Sequence, residues 1–234
     1  MKIFLIQTRE EEKEMAFERE AFFRSTGLGK DELAAVDFLK DGLPQDVLQG
    51  DAIIIGGSRF GVAKNDSGLL VPKLEDLIKM VNSTIKIEMP LLGVCFGHQL
   101  LAYVCGGDVI CDKKNEEYGT YLMGLEDAAK DDPLFSHLPQ RFNAQCAHHD
   151  RVQNLPPGAV LLAGNERSPI QAFRIDKKVY GIQFHPERSK EDYENIIKFR
   201  FKDHGAPEWA AKLAPSPEAE SVMRKFIELV RGSP

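Results

Sequence analysis

Gly93-Val94-Cys95-Phe96-Gly97 places a cysteine between two glycines, after a short apolar run and before a segment that can continue as a helix. This is the thiol counterpart of the G-x-S-x-G nucleophile elbow, in which a sharp strand-to-helix turn exposes the reacting side chain. The glycines allow strand and helix to approach closely, and a helix N-terminus favours thiolate, the reactive form. Taken alone, Cys95 would read as a buried cysteine closing a core strand. Cys105, Cys111 and Cys146 lack such a frame and read as packing or surface residues.

A thiolate needs a group to manage protons, and Gln183-Phe184-His185-Pro186-Glu187 offers one at the end of another strand-like run. Residues i and i+2 of an extended segment point to one side, so Glu187 is placed to orient the His185 ring. Pro186 biases His185 toward extended backbone. Cys95, His185 and Glu187 then have the logic of nucleophile, base and orienting carboxylate. Elbow geometry makes the Phe96 N–H one oxyanion donor. A second is expected from the loop after a neighbouring strand, which Gly56-Gly57 suits. That glycine pair also fits a plain turn or a phosphate loop, but no G-x-G-x-x-G or Walker pattern follows it.

These residues need elements to hold them. Ile3 to Gln7 reads as a short buried strand, followed by an acidic, loosely helical segment from Arg9 to Arg24. Leu33 to Leu39 reads as a second strand. Asp51 to Gly57 is the clearest one, a continuous apolar run of the kind covered on both faces of a parallel sheet. Leu70, Leu74, Leu77, Ile78 and Val81 fall on one face of an amphipathic helix. Pro90 to Cys95 is a strand and Gly97 to Val104 a helix. Further strands are expected at Ala159 to Ala163, Ile170 to Ile175 and Val179 to Phe184. A helix after Ser189 sets Tyr193, Ile196 and Ile197 on one side. The last helix has Ser216 as N-cap, Pro217 at its first position, Val222, Phe226, Leu229 and Val230 on one face, and Gly232 beyond its end. Alternating strands and helices without a repeat or linker point to one α/β domain over residues 1–234, with 204–234 as a helical tail.

Several spaced motifs together carry a family resemblance. They are Gly56-Gly57, Gly93-Val94-Cys95-Phe96-Gly97-His98-Gln99, Gly106-Gly107, Glu117-Tyr118-Gly119 and His185-Pro186-Glu187. From Ile3 to about Ile197 the chain resembles the class I, triad-type glutamine amidotransferases, and in particular the glutaminase domain of GMP synthases. The resemblance implies a Rossmann-like, flavodoxin-like open sheet, mostly parallel, with helices on both faces and the site at strand C-terminal ends. It implies that Cys95 attacks the glutamine side-chain amide to form a γ-glutamyl thioester. His185 would protonate the departing ammonia and then activate water, with Glu187 orienting it. By position, Gly57 and Phe96 would supply the oxyanion N–H groups and Gln99 would contact the amino-acid end of the substrate. Gln145 to Val152 resembles the family's Met-Ser-His-Gly-Asp stretch, which makes Ala147, His148 and His149 substrate-binding positions. Ala147 stands where Ser is usual and His149 where Gly is usual. Outside the resemblance, His148 and His149 would read as two solvated loop histidines.

Composition narrows the function. Lys plus Arg is 30 against 36 for Asp plus Glu, so a net charge of −6 gives no footprint for nucleic acid or an anionic membrane. No run approaches the roughly 18 apolar residues of a membrane span, and the N-terminal apolar run is too short for a signal peptide. Four irregularly spaced cysteines make no disulfide framework, so a reduced, cytoplasmic protein is expected. No metal or other cofactor is expected. The chain lacks the Ser-Gly-Gly-x-Asp-Ser loop of the ATP pyrophosphatase half of GMP synthase, so a separate synthase in trans is the expected partner and glutamine or a γ-glutamyl compound the expected substrate. Two alternatives stand beside this reading: a γ-glutamyl peptide or amide hydrolase acting without a synthase, and a non-catalytic metabolite- or partner-binding relative. The intact set of Cys95, His185 and Glu187 argues against the last.

Overall fold

Along the first strand, β1 (Ile3–Thr8), Ile3 and Leu5 enter one hydrophobic cluster while Phe4 and Ile6 enter another. That alternation is the strand period of two with both faces covered. In a computed structural model, which describes residues 1–63, 70–200 and 205–232, the same split recurs along β3 (Ala52–Ser58): Ala52 and Ile54 face one way, Ile53 and Ile55 the other. The remaining strands are β2 (Leu33–Asp37), β4 (Leu91–Val94), β5 (Asp108–Cys111), β6 (Glu117–Leu125), β7 (Arg141–His148), β8 (Asp150–Asn154), β9 (Val160–Gly164), β10 (Ala172–Ile175) and β11 (Val179–Ile182).

Nine strands form one sheet in the order β2-β1-β3-β4-β11-β10-β9-β6-β7. From β2 to β11 neighbours run parallel, and from β11 to β7 they run antiparallel. β5 and β8 pair separately as an antiparallel ribbon. The helices are α1 (Glu12–Thr26), α2 (Phe38–Asp41), α3 (Leu74–Lys86), α4 (Phe96–Val104), α5 (Lys190–Arg200) and α6 (Pro217–Arg231). Phe22 of α1 and Phe226 of α6 pack into the cluster on one face of the sheet. Leu77 of α3 and Leu100 of α4 pack into the cluster on the other. The expected open, mostly parallel α/β sheet with helices on both faces is therefore present.

Several local expectations differ from the structure. Leu33 to Leu39 is not one strand, because Asp37 accepts a hydrogen bond from the Lys40 N–H (3.2 Å) and turns Phe38–Asp41 into a short helix. Leu70 lies outside α3 and is 60% exposed, while Leu77 and Val81 make the buried helical face. Ser216 precedes α6 without capping it by its side chain, because its hydroxyl instead accepts from Gln145 Nε2 (3.1 Å). Sequence periodicity does not reveal β5 to β8, whose apolar residues are interrupted by Gly, Asn, Gln and charged side chains. In the segment preceding α6, Trp209 packs on the domain itself. Its ring lies 6.2 Å from that of Tyr118 and 6.3 Å from that of Tyr193.

Candidate active site

Cys95 is the single residue between β4 and α4, and it holds φ 53° and ψ −99°. This positive φ is costly for a side chain other than glycine and persists only where the surroundings enforce it. Two glycines and two hydrogen bonds do so here. A Cβ on Gly93 would run into the Gly97 carbonyl, and one on Gly97 into the Ile55 carbonyl oxygen of β3. The Cys95 N–H donates to Ile182 O of β11 (2.8 Å), and the Gln99 N–H closes the first turn of α4 on Cys95 O (3.2 Å). The elbow expected from Gly-x-Cys-x-Gly is thus built by close passage of α4 over β3 and β4.

His185 follows β11, and its N–H donates to Gln145 O of β7 (2.8 Å). Its Nδ1 lies 2.7 Å from Glu187 Oε1, the expected contact, but it is made across a turn rather than an extended segment, since the Arg188 N–H donates to His185 O (3.2 Å). Arg188 Nε donates to the same carboxylate oxygen (3.2 Å), and an Arg24 guanidinium nitrogen donates to the Glu187 carbonyl (3.2 Å). Tyr193 of α5 sets its ring edge-on to His185, and the Arg188 guanidinium lies over that tyrosine. Cys95, His185 and Glu187 are all buried.

Enclosure dominates the protonation of this group. Burial pushes the Cys95 thiol up to about 12, although the Arg9 charge pulls it down. Burial likewise holds His185 below its usual value, against the raising effect of Glu187. For Glu187 burial works upward, but the charge and hydrogen bond of His185 and the charge of Arg188 outweigh it and hold the carboxyl at about 2. Both shifts favour the uncharged thiol and imidazole. Burial of the sulfur thus opposes the thiolate that a helix N-terminus favours.

Cys95 and His185 share a cavity of about 230 Å³, the scale of an amino acid rather than a drug-sized ligand. Gln99, Ala147, His148 and His149 line it too, so the structure brings every expected substrate position to the nucleophile. Their side chains are partly committed. Gln99 Nε2 donates to Asp150 O (2.9 Å) and Gln183 Oε1 (3.2 Å). His148 is a buried wall residue rather than a solvated one: its Nε2 is 3.0 Å from Glu117 Oε2 and its Nδ1 3.1 Å from Asp150 O. His149, at the mouth, sets Nδ1 2.7 Å from Asp150 Oδ1 and 3.7 Å from Cys111 Sγ.

Gly57 departs from its expected role. Its N–H donates to Glu18 Oε1 (3.1 Å), a fully buried carboxylate brought in by α1. Among the described residues, two sets of side chains place ligating atoms within 4.8 Å of one another: Cys111 with His149 and Asp150, and Glu117 with Cys146 and His148. In both, the carboxylate already takes part in contacts within the protein, Glu117 accepting from Asn165 (2.7 Å) and Gln171 (2.6 Å). Sequence reasoning missed Arg9, Glu18, Arg188 and Tyr193. Arg188 follows His-Pro-Glu directly, which is a usable local signal; Arg9 directly follows β1 and reaches the site through the pairing of β1 with β3, whereas Glu18 reaches it through the packing of α1 on the sheet.

Relatives place this geometry in context. A glutamine amidotransferase class-I family model matches residues 40–203. A subunit of the glutamine-hydrolyzing GMP synthase of Methanocaldococcus jannaschii is 34% identical over 131 residues, covering 56% of this chain and 68% of that protein. The like-named protein of Sulfurisphaera tokodaii is 34% identical over 162 residues, covering 66% and 80%. Against the longer GMP synthase of Thermosipho africanus the identity is 36% over 151 residues, but the match spans only 26% of that protein. In fold, a glutamine amidotransferase from Thermotoga maritima superposes with a TM-score of 0.73 at 23% identity, covering 99% of each chain. With its elbow, its buried histidine and most of its length inside the matched region, this chain belongs to the class-I glutamine amidotransferase family.

Proposed function

We propose that the protein hydrolyses the side-chain amide of glutamine through a Cys95 thioester, delivering ammonia to a synthase that acts in trans. The observation that carries this reading is the buried His185–Glu187 hydrogen bond of 2.7 Å at the cavity that also holds Cys95 on its strained elbow. Because burial favours the uncharged thiol and imidazole, the proton moves as the sulfur attacks: Cys95 gives its proton to His185 while the S–C bond forms at the amide carbon. Glu187, held ionised, stabilises the imidazolium that results. His185 then returns that proton to the departing nitrogen, the C–N bond breaks, and ammonia leaves a γ-glutamyl thioester. Water adds to the thioester as His185 takes its proton; the S–C bond breaks, His185 returns that proton to the sulfur, and glutamate leaves with the thiol restored. The Phe96 N–H, at the first position of α4, is the donor this reading gives to the oxyanion formed in each addition.

Turnover of purified protein on glutamine, beside a panel of γ-glutamyl peptides and with Cys95→Ala as blank, tests the reading. Cys95-dependent release of ammonia and glutamate from glutamine is the expected result. Fast cleavage of the peptides with glutamine left nearly intact would assign the site to a γ-glutamyl hydrolase instead.

A further inference from the structure

The family resemblance assigns the second oxyanion donor to Gly57, and that N–H points elsewhere. Glu18 is fully buried and collects three donors: the Gly57 N–H (3.1 Å) and Arg9 Nε (2.9 Å) on Oε1, and Gln7 Nε2 (2.9 Å) on Oε2. Turning Gly57 N–H toward a substrate would take one donor from a buried carboxylate, which leaves that carboxylate short of a hydrogen bond away from water. The same cluster explains the glycine pair. A Cβ on Gly56 would come within 2.9 Å of Glu18 Oε1, and one on Gly57 within 2.8 Å of the Arg9 Nη2 atom and 3.3 Å of His185 Cε1. The guanidinium therefore lies directly over Gly57 and beside the imidazole, with its side chain lining the cavity that contains Cys95.

We propose that Arg9 is a catalytic residue, its guanidinium donating to the oxyanion of the tetrahedral intermediate in the place expected for the Gly57 N–H, with Glu18 as the residue that positions it. This rests on the glutamine-hydrolysing reading above. As the Cys95 sulfur adds to the amide carbon, the carbonyl π pair moves to oxygen, and the new negative charge is met by Phe96 N–H on one side and Arg9 on the other. Collapse returns that pair to the C=O bond and expels the nitrogen with the proton from His185. Arg9 is not an isolated cation: Glu18 holds its Nε, Glu14 lies 3.8 Å from Nη1, and Arg59 offsets Glu14 at 2.7 Å. Its Nη2 edge, over Gly57, is the part turned toward the reaction. The lowering influence of Arg9 on the Cys95 thiol agrees with this placement.

The test compares wild type, Arg9→Met, Arg9→Lys and Glu18→Ala, each checked for native circular dichroism and melting. Three readouts are taken: kcat and KM for glutamine, inhibition by the γ-aldehyde analogue that forms a tetrahedral hemithioacetal on Cys95, and the rate of Cys95 alkylation by iodoacetamide against pH. Arg9→Met should lower kcat about 10²–10³-fold, the range for removing one oxyanion donor. KM should stay within threefold, the aldehyde should weaken in parallel with kcat, and Arg9→Lys should recover part of the loss. Alkylation in Arg9→Met should need a higher pH. An Arg9→Met enzyme with kcat within threefold of wild type overturns the proposal while leaving glutamine hydrolysis intact. So does a Glu18→Ala enzyme at or above wild-type kcat, because the released Gly57 N–H would then be the donor. If wild type shows no Cys95-dependent turnover, the functional reading fails, and an alkylation profile unchanged in Arg9→Met overturns the placement of Arg9 as well.

Discussion

The parallel and antiparallel halves of the sheet divide the labour of this molecule. The parallel half, β2 to β11, carries Cys95 at the end of β4 and leads from β11 into His185 and Glu187. The antiparallel half supplies the opposite wall through Ala147 and His148 of β7, beside Tyr118 of β6. Parallel strands end together at one edge of the sheet, where loops converge, so chemistry collects there. Antiparallel strands offer a long lateral surface, and here that surface shapes and anchors. The contrast predicts that changes in the first half act on kcat or on folding, and changes in the second act on KM.

The largest effect should come from Cys95→Ala and His185→Ala, each lowering kcat by about 10⁴-fold or more with melting close to wild type, since each removes one reacting group of a unit that works together. Ammonia release in a coupled assay checks this. Glu187→Gln keeps the shape while removing the charge that stabilises imidazolium, and about 10²–10⁴-fold in kcat is expected. Gly97→Ala tests the fold instead. Its new methyl meets Ile55 O across the elbow, so a loss of about 1–3 kcal/mol or more in urea unfolding should accompany lost activity.

A pH profile sharpens the comparison further. Because burial holds His185 below its usual value of 6.5, kcat/KM should be sustained down to that region and fall at more acid pH as the imidazole takes a proton. The histidine stability terms have the same sign. His98, buried against Phe173 and held at about 3, and His185 are both protonated more readily in the unfolded chain, so stability falls as pH drops below 6.5. Glu187, held at about 2, adds a contribution present above its ordinary 4.5 and lost as pH falls from there toward 2. Thermal melts from pH 8 to pH 3 should show a net decline, opposed only in part by Glu220, whose carboxyl is raised by burial and stabilises as it takes its proton. The smallest effect belongs to the antiparallel wall: Ala147→Ser with His149→Gly, which restores the residues usual in the family, should move KM for glutamine by about three- to tenfold and leave kcat nearly unchanged, measured by steady-state kinetics. A change confined to kcat would break the division between the two halves.

Legibility followed apolar continuity rather than that boundary, since β9 and β10 of the antiparallel half were also readable from their apolar runs. Ile53 to Gly57 and Leu91 to Cys95 announced themselves because strands covered on both faces must be apolar at every position. The antiparallel β7, Arg141–His148, mixes exposed Arg141 with buried Phe142 and Gln145, and its buried glutamine is acceptable only because Thr120, Ala214 and Ser216 meet it in space. No local pattern could announce those partners. Trp209 is a similar case, since its stacking on Tyr118 joins positions far apart in the chain.

By itself the sequence determined which side chains stand as candidate nucleophile, base and orienting carboxylate. Gly93, Cys95 and Gly97 dictate an elbow through their sizes, and the spacing of His185 and Glu187 across Pro186 lets the two side chains meet, through a turn rather than the expected extended segment. Tertiary structure decided what surrounds them. Burial favours the proton on Cys95, the packing of α1 on the sheet carries Glu18 to the Gly57 N–H, and the pairing of β1 with β3 sets Arg9 over the glycine loop. The physical reason is that backbone conformation and side-chain direction are local, whereas dielectric surroundings and hydrogen-bond partners are fixed only when distant segments meet.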